Sequence, residues 1–187
     1  LPWAGGTDGW FFGSSEILVE SSRPTLKVFY TTPGVTVTPT AGLFTSETGA
    51  AATFTVVLDT QPSADVSIPL SSSDTTEGTV APASLVFTPA NWNIPQTVTI
   101  TGVDDALADG SIVYDIVTGA ATSADPFYNG LNAADVSVSN SDNETAGVTV
   151  QPLSGLVTNE GGGTVAFTIV LNTPPTANVT IGLTSSD

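Results

Sequence analysis

Hydrophobic and polar residues alternate in short runs along most of the chain, which is the pattern of half-buried β-strands. In 52-ATFTVVLD-59, Phe54, Val56 and Leu58 share one face with a period of two residues. The same period recurs in 66–70, 98–100 and 112–116. Clusters of Gly, Pro, Asn and Asp separate these runs, and no segment has a helical period. The pattern predicts an all-β protein with Ig-like antiparallel β-sandwiches.

The chain contains an internal repeat. The segment beginning 34-GVTVTPTAGLFTSETG-49 returns 113 positions later as 147-GVTVQPLSGLVTNEGG-162, and more than half of the positions in 34–74 and 147–187 are identical. We therefore predict a complete sandwich over 34–146 and the first three strands of a second one over 147–187. The strands expected in the first unit are A (34–38, extending to 44), B (52–59), C (65–72), D (78–87), E (96–103), F (111–118) and G (135–140).

Three strands cannot close a sandwich, and their unpaired edges would be prone to association. We expect either that part of the second unit is missing from the chain or that a neighbouring copy of the protein supplies strands to it. The chain also contains no Met, so we interpret it as a piece of a longer protein.

Charge limits the classes of partner. The 18 acidic residues face 2 basic ones, which gives a formal net charge of -16. Such a molecule repels nucleic acid and anionic membranes, so we expect neither partner, and the sequence has no membrane-inserting segment. The absence of His and Cys excludes Ser-His-Asp and Cys-His catalysis and the usual zinc ligands. We predict a non-enzymatic protein.

Strand order should place the acidic connections at one end of the sandwich, which we call the tip. In an antiparallel sandwich the A–B, C–D and E–F connections and the segment after G lie at the same end. These are 45-TSETG-49, 73-SDTTEG-78, 104-DDALADG-110 and 141-SDNE-144. Their carboxylates are those of Glu47, Asp74, Glu77, Asp104, Asp105, Asp109, Asp142 and Glu144.

The tip carboxylates have no basic side chain to neutralise them, because 34–146 contains neither Lys nor Arg. Two unit charges about 4 Å apart interact by roughly 4 kcal/mol at an effective dielectric near 20. Hard oxygen ligands favour Ca²⁺ over zinc or copper, and flexible loops favour it over Mg²⁺. Two alternatives remain: an ordinary solvated turn at 104–110, and the acidic surface of a halophilic protein, which would spread acids along the strand faces.

The same elements resemble a Calx-beta-type domain. The resemblance rests on the Glu in the first connection, the Asp after strand C, the Asp-Asp pair after strand E and the 142-DNE-144 exit. More closely, 87-FTPANWNIPQTVTITGVDDALADG-110 resembles the Calx-beta-like repeats of large bacterial surface proteins, and the resemblance covers 34–187. It implies calcium at the tip and modules joined into rods. The implied ligands are Glu47, Asp74, Asp104, Asp105, Asp109, Asp142, Asn143 and Glu144, with Glu160 and Asp187 in the second unit.

Residues 1–33 have a different pattern. The segments 8-DGWFFGSSE-16 and 23-RPTLKVFYTT-32 predict two strands, and they resemble the closing strands of a DNRLRE-type jelly-roll domain. The resemblance implies that 1–33 end a preceding β-domain. The aromatic residues here motivate an alternative function, a carbohydrate-binding accessory module of a secreted polysaccharide-active protein; they are Trp3, Trp10, Phe11 and Phe12. Trp92 is instead predicted to close the base of the sandwich.

These observations lead to one main functional hypothesis. The chain is expected to be an extracellular structural or adhesive module of a repetitive bacterial surface protein or filament. Ca²⁺ at the tip would stiffen the joint between repeats, and the partners would be neighbouring repeats or copies of the same protein, with glycans as a further possibility.

Overall fold

The computed structural model describes residues 31–186, which belong to one compact unit. The predicted jelly-roll strands in 1–33 and the predicted ligand Asp187 therefore lie outside the described residues, apart from the short stretch 31–33. Within the described part, no helix is long and apolar enough to cross a membrane.

The described residues form β-strands and connections without a helix, so the predicted all-β class is confirmed. The strands are β1 (Val35–Thr38), β2 (Leu43–Ser46), β3 (Ala51–Leu58), β4 (Val66–Ser72), β5 (Gly78–Ala81), β6 (Ser84–Phe87), β7 (Gln96–Gly102), β8 (Ile112–Thr118), β9 (Thr122–Ser123), β10 (Val136–Ser141), β11 (Val148–Gln151) and β12 (Thr168–Leu171).

The first unit is a sandwich of two sheets. One has the order β1-β3-β7-β5, and the other has the order β2-β10-β8-β4-β6, with β9 paired to β4. The register agrees with the alternation in the sequence: Phe54 lies opposite Val98, and both are buried. All pairs of this sandwich are antiparallel except β2–β10, which is parallel.

The core lies between the inner faces of the two sheets. β3 and β7 supply one side, and β4, β6, β8 and β10 supply the other. Fully burying a Val, Ile or Phe side chain contributes about 1.5–3 kcal/mol, so this layer dominates the stability of the unit. The buried apolar residues are Phe54, Val56, Leu58, Val66, Ile68, Leu70, Leu85, Phe87, Val98, Ile100, Tyr114, Ile116, Ala121, Tyr128, Val136 and Val138.

Two strands that the sequence pattern predicts as continuous are each divided between the sheets. Predicted strand A becomes β1 in one sheet and β2 in the other, and predicted strand D becomes β5 and β6 in the same way. A proline lies at each crossing, Pro39 and Pro82, where the backbone has no N–H to continue a ladder. Gly42, with a φ of 76°, completes the first crossing in a conformation that favours glycine.

Residues 147–186 contain β11 and β12, which form a separate two-stranded sheet. Its register repeats that of β1 and β3, since Val148 pairs with Leu171 as Val35 pairs with Leu58. The apolar side chains here are much less covered than those of the first unit. Phe167 is 45% exposed, whereas its repeat equivalent Phe54 is 1% exposed.

Candidate metal centre

The four acidic connections lie at the same end of the first unit. β2 and β10 end there in parallel, β3 starts there, and β7 ends opposite the start of β5, with Gly102 paired to Gly78. Backbone hydrogen bonds join the connections to one another: Glu47 N donates to Ser141 O at 3.1 Å, and Val103 N donates to Glu77 O at 3.0 Å. The topology therefore places the predicted tip residues side by side.

One group of carboxylates consists of Glu47, Asp104 and Glu144, with an oxygen of each within 4.8 Å of the others. The three come from the β2–β3 connection, the β7–β8 connection and the segment after β10. Asn143 connects them, because its backbone N–H donates to Glu47 Oε2 at 3.1 Å and its side chain donates to Asp104 Oδ1 at 3.0 Å. Glu47 is 5% exposed, so one of the three carboxylates is buried.

Within this group, the Glu144 carboxylate has an oxygen that lacks a hydrogen-bond donor. Its Oε2 atom is buried without a hydrogen-bond partner. The pKa of Glu144 is raised to about 7, first by burial and then by its contacts with the carboxyl groups of Glu47 and Asp142. A cation or a proton at this position would stabilise the buried oxygen, because the oxygen has no hydrogen-bond donor and its neighbours are negatively charged.

A second group consists of Glu77, Asp105 and Asp109, again with one oxygen of each within 4.8 Å of the others. Glu77 is 6% exposed, and burial raises its pKa, an effect opposed by the hydrogen bond from Asn140. The Calx-beta resemblance did not include Glu77 among the ligands. Strand order alone pointed to it, since 73-SDTTEG-78 is one of the four connections at the tip.

Asp74 and Asp142 are at the tip, but their carboxylates accept hydrogen bonds from N–H and hydroxyl groups of the acidic connections. Asp74 Oδ1 accepts hydrogen bonds from Thr76 N at 3.0 Å and Thr76 Oγ1 at 2.6 Å, and these lower the pKa of Asp74. Asp142 accepts from Gly110 N at 2.7 Å and from Glu144 N at 2.6 Å, which lowers its pKa as well. Both carboxylates are outside the two groups and shape the loops that carry them.

The predicted ligands of the second unit are not brought into a group. Glu160 is exposed in the turn at 159–162, and Asp187 lies outside the described residues. The described residues 147–186 contain no acidic side chain besides Glu160, so the arrangement of the first unit is not repeated there.

Acidic residues at the opposite end of the first unit act as turn acceptors. Asp125 is 4% exposed and accepts from Ser63 N at 2.7 Å and Phe127 N at 2.9 Å. Asp135 accepts from Thr118 N at 2.8 Å. Trp92 is half-buried and packs against the core, in agreement with its predicted position at the base. The two groups of convergent carboxylates in the described part of the chain are both at the tip.

The donor chemistry of the tip fits a hard divalent cation. Its candidate ligands are carboxylate oxygens, and residues 31–186 contain no Lys, Arg, His or Cys. Loops from different strands supply the oxygens, which suits the six to eight ligands and variable geometry of Ca²⁺ better than the octahedron of Mg²⁺. The arrangement can hold one or two cations. Because residues 31–186 contain no basic side chain, ions from solution neutralise the carboxylates.

Comparison with known proteins gives similarity of fold. No family model matches the chain, and no curated protein matches it. The chain is similar to the apo-form Calx CBD1 domain at 16% identity and a TM-score of 0.47, covering 61% of this chain and 100% of that one. It is similar to the periplasmic chaperone SfaE at 11% identity and a TM-score of 0.46, covering 59% of each chain. A third similar structure is SSP-19, an MSP-domain protein of Caenorhabditis elegans, at 19% identity and a TM-score of 0.39, covering 57% of this chain and 96% of that one. At these identities the likeness concerns the fold alone.

Proposed function

We propose that the chain is a non-enzymatic, calcium-binding structural module of the Calx-beta type, belonging to a secreted repetitive protein of a bacterial surface or filament. The group formed by Glu47, Asp104 and Glu144 carries the proposal. It brings three carboxylates from distant parts of the sequence within 4.8 Å of one another, and it includes the unpartnered Glu144 Oε2. Such an arrangement is unfavourable without a cation, because like charges at short range raise the free energy of the folded state.

Calcium would act on the joint between the repeats. Asn143 and Glu144 lie in the segment that leaves β10 and reaches Gly147, the first residue of the second repeat. Asn143 is already hydrogen-bonded to Glu47 and Asp104, so an ion shared by Glu47, Asp104 and Glu144 would hold this segment to the tip. Restricting the segment restricts the angle between successive repeats, and an array of such joints would behave as a rod.

The proposed partners are neighbouring repeats and further copies of the same protein. The internal repeat supports this part of the proposal, since 147–187 repeats the sequence of 34–74 and places a neighbouring repeat in the same chain. The proposed setting is extracellular, where calcium reaches millimolar concentration and modules of this kind bind it at 10⁻⁴–10⁻³ M.

The test is thermal unfolding of the whole chain with Ca²⁺ and with EGTA, together with calorimetric titration. Millimolar Ca²⁺ should add on the order of 1 kcal/mol per bound ion and raise the unfolding midpoint by about 2–4 °C per ion. Glu47→Gln, which removes the buried charge of the first group, should abolish the part of this rise that an ion in that group contributes.

Two controls make the result specific. Asp65→Asn makes the same charge change in an exposed residue away from the tip groups and should leave the calcium response intact. Mg²⁺ at the same concentration should stabilise the chain less than Ca²⁺. A midpoint that is the same in Ca²⁺ and EGTA, with no heat of binding, would rule out the calcium function.

A further inference from the structure

The two copies of the repeat differ in charge at one of their ends. The β3–β4 connection, which we call the base turn, spans 59–65 in the first copy, and its equivalent in the second copy spans 172–178. Asp59 and Asp65 flank the first base turn, whereas the residues 113 positions later are Asn172 and Asn178. The other two acidic residues of 34–74 lie toward the tip and are acidic in both copies. The charge is therefore lost at the base turn alone.

The shape of the base turn does not require this change of residue. Asp59 Oδ1 accepts a hydrogen bond from Thr36 Oγ1 at 2.6 Å, and Asn172 Oδ1 accepts the equivalent bond from Thr149 Oγ1 at 2.7 Å. In both copies the backbone N–H of this residue donates at 2.9 Å to the carbonyl of the glycine that begins the repeat. An amide oxygen thus serves the turn as well as a carboxylate oxygen. The difference between the copies concerns charge.

The second base turn adjoins the tip of the first unit. A cavity of about 540 Å³ is lined by 173–179 of the base turn, by the segment that joins the repeats and by Ala108 of the β7–β8 connection. Asn178 is one of its lining residues. The same β7–β8 connection contributes Asp105 and Asp109 to the tip, and Asp109 is exposed beside Ala108. The second base turn therefore lies next to an acidic surface.

A negatively charged base turn would be unfavourable in this place. Residues 31–186 contain no Lys or Arg that could neutralise the tip. Carboxylates at positions 172 and 178 would add two like charges next to it, and like charges placed opposite each other oppose association. Asn at both positions keeps the polar character of the turn and removes this repulsion.

We infer that the base turn of a repeat is a docking surface for the tip of the repeat before it, and that Asn172 and Asn178 determine its specificity for an acidic tip. Specificity arises here from the removal of a repulsive element. By the same reasoning, the first base turn, with Asp59 and Asp65, does not fit an acidic tip. The inference rests on the joint between repeats in the proposed function, but the docking contact needs no bound ion.

Spin labels on the whole chain measure the joint directly. The sequence contains no Cys, so Val113→Cys in β8 and Val170→Cys in β12 create one labelling site in each repeat. Both side chains are more than half exposed, so the labels should leave the packing intact. Double electron–electron resonance in EGTA should give a narrow distribution of distances between the two labels.

The test variant combines Asn172→Asp with Asn178→Asp, which gives the second base turn the residues of the first. At low salt it should broaden the distribution and reduce the ratio of docked to undocked molecules by about fivefold or more. Salt at about 1 M should restore most of the original distribution, because it screens exposed charges beyond about 3 Å. Misfolding of the second repeat would not be reversed by salt.

Asn159→Asp is the matched control for the single variant Asn178→Asp. It makes the same charge change in the same repeat, in the turn equivalent to the β2–β3 connection, at the end away from the first unit. It also keeps the oxygen that accepts from Gly163 N at 3.2 Å. The control should leave the distance distribution unchanged at low and high salt.

The possible outcomes separate this inference from the calcium function. Broadening that salt reverses, and that Asn159→Asp does not cause, supports the docking role of the two Asn residues. An unchanged distribution in the double variant overturns that role, and a broad distribution in the unmodified chain overturns the docking itself. Since all distances are measured in EGTA, a failure to bind calcium would remove the proposed calcium function and leave these results as they are.

Discussion

Single carboxylates in this protein differ sharply in what surrounds them. Asp125 accepts two backbone hydrogen bonds, from Ser63 and Phe127, and these lower its pKa. Glu144 has a buried, unpartnered oxygen and negative neighbours, and its pKa is raised to about 7. The same chemical group is thus a turn acceptor at one end of the sandwich and a candidate ligand at the other.

Asp125→Asn tests the turn role through pH. A carboxyl group with a lowered pKa in the folded state stabilises the fold above its unfolded pKa of about 4, and this stabilisation is lost as the pH falls through the folded pKa. The unfolding midpoint of the unmodified chain in EGTA should therefore fall with acidification below about pH 4. Asp125→Asn should lower the midpoint at neutral pH and make the acid-induced fall smaller.

The matched comparison for Asp125→Asn is Asp65→Asn, an exposed carboxylate near the same connection for which no side-chain hydrogen bond is seen. Thermal unfolding by circular dichroism between about pH 2 and 7 measures both variants. Equal pH profiles for Asp125→Asn and the unmodified chain would contradict the turn role.

At the scale of elements, the connections pack against one another as well as against the strands they join. The long connection between β8 and β10 packs back on the β3–β4 turn through Tyr128, which is 1% exposed. Its hydroxyl donates to Thr60 O at 2.6 Å and accepts from Thr60 N at 3.1 Å. This contact closes the base of the sandwich, while the acidic connections close the tip.

Tyr128→Phe should lower the free energy of unfolding by about 1–2 kcal/mol, because it leaves both backbone groups of Thr60 without this partner. Chemical denaturation followed by fluorescence or circular dichroism measures the change. Phe127→Ala is the control, since the neighbouring Phe127 side chain is 73% exposed and its removal should change stability by less than about 0.5 kcal/mol. A loss in Tyr128→Phe no larger than in the control would show that the contact does not stabilise the base.

At the scale of the whole molecule, the two copies of the repeat differ in how deeply their apolar side chains are buried. Val56 and Val66 are fully buried in the first unit, whereas Val179, the repeat equivalent of Val66, is 53% exposed. β3 is paired on both sides, to β1 and β7, whereas β12 pairs with β11 alone. Near-identical strands therefore have different numbers of partners in one chain.

Native-state hydrogen exchange should separate the two units. Amides of β3 should open only with global unfolding, at about 5–15 kcal/mol, and amides of β12 should open at much lower free energy, because exposed strands with few apolar contacts exchange by local opening. The internal control is built into the sequence, since residues 113 positions apart, such as Thr55 and Thr168, can be compared directly. Equal protection in β3 and β12 would mean that 147–186 are covered in solution.

Much of the fold could be predicted from local pattern. The alternation of Phe54, Val56 and Leu58 indicated an inward face, and the structure buries all three. Prediction failed for strands A and D, because alternation reports which face is buried and not which of two sheets a segment joins. The proline at each crossing was visible in the sequence, but its effect depends on the pairing available on either side.

The sequence by itself determined the all-β class, the repeat, the inward-facing residues and the convergence of four acidic connections, since strand direction alternates along the chain whatever the packing details. Only the tertiary structure decided how the carboxylates are divided. It places Glu47, Asp104 and Glu144 together and adds Glu77 to Asp105 and Asp109. It also directs Asp74 and Asp142 toward hydrogen-bond donors of the connections. The reason is physical: strand order brings a loop to the correct end, but burial and hydrogen bonds, such as those of Asn140, fix where each carboxylate points.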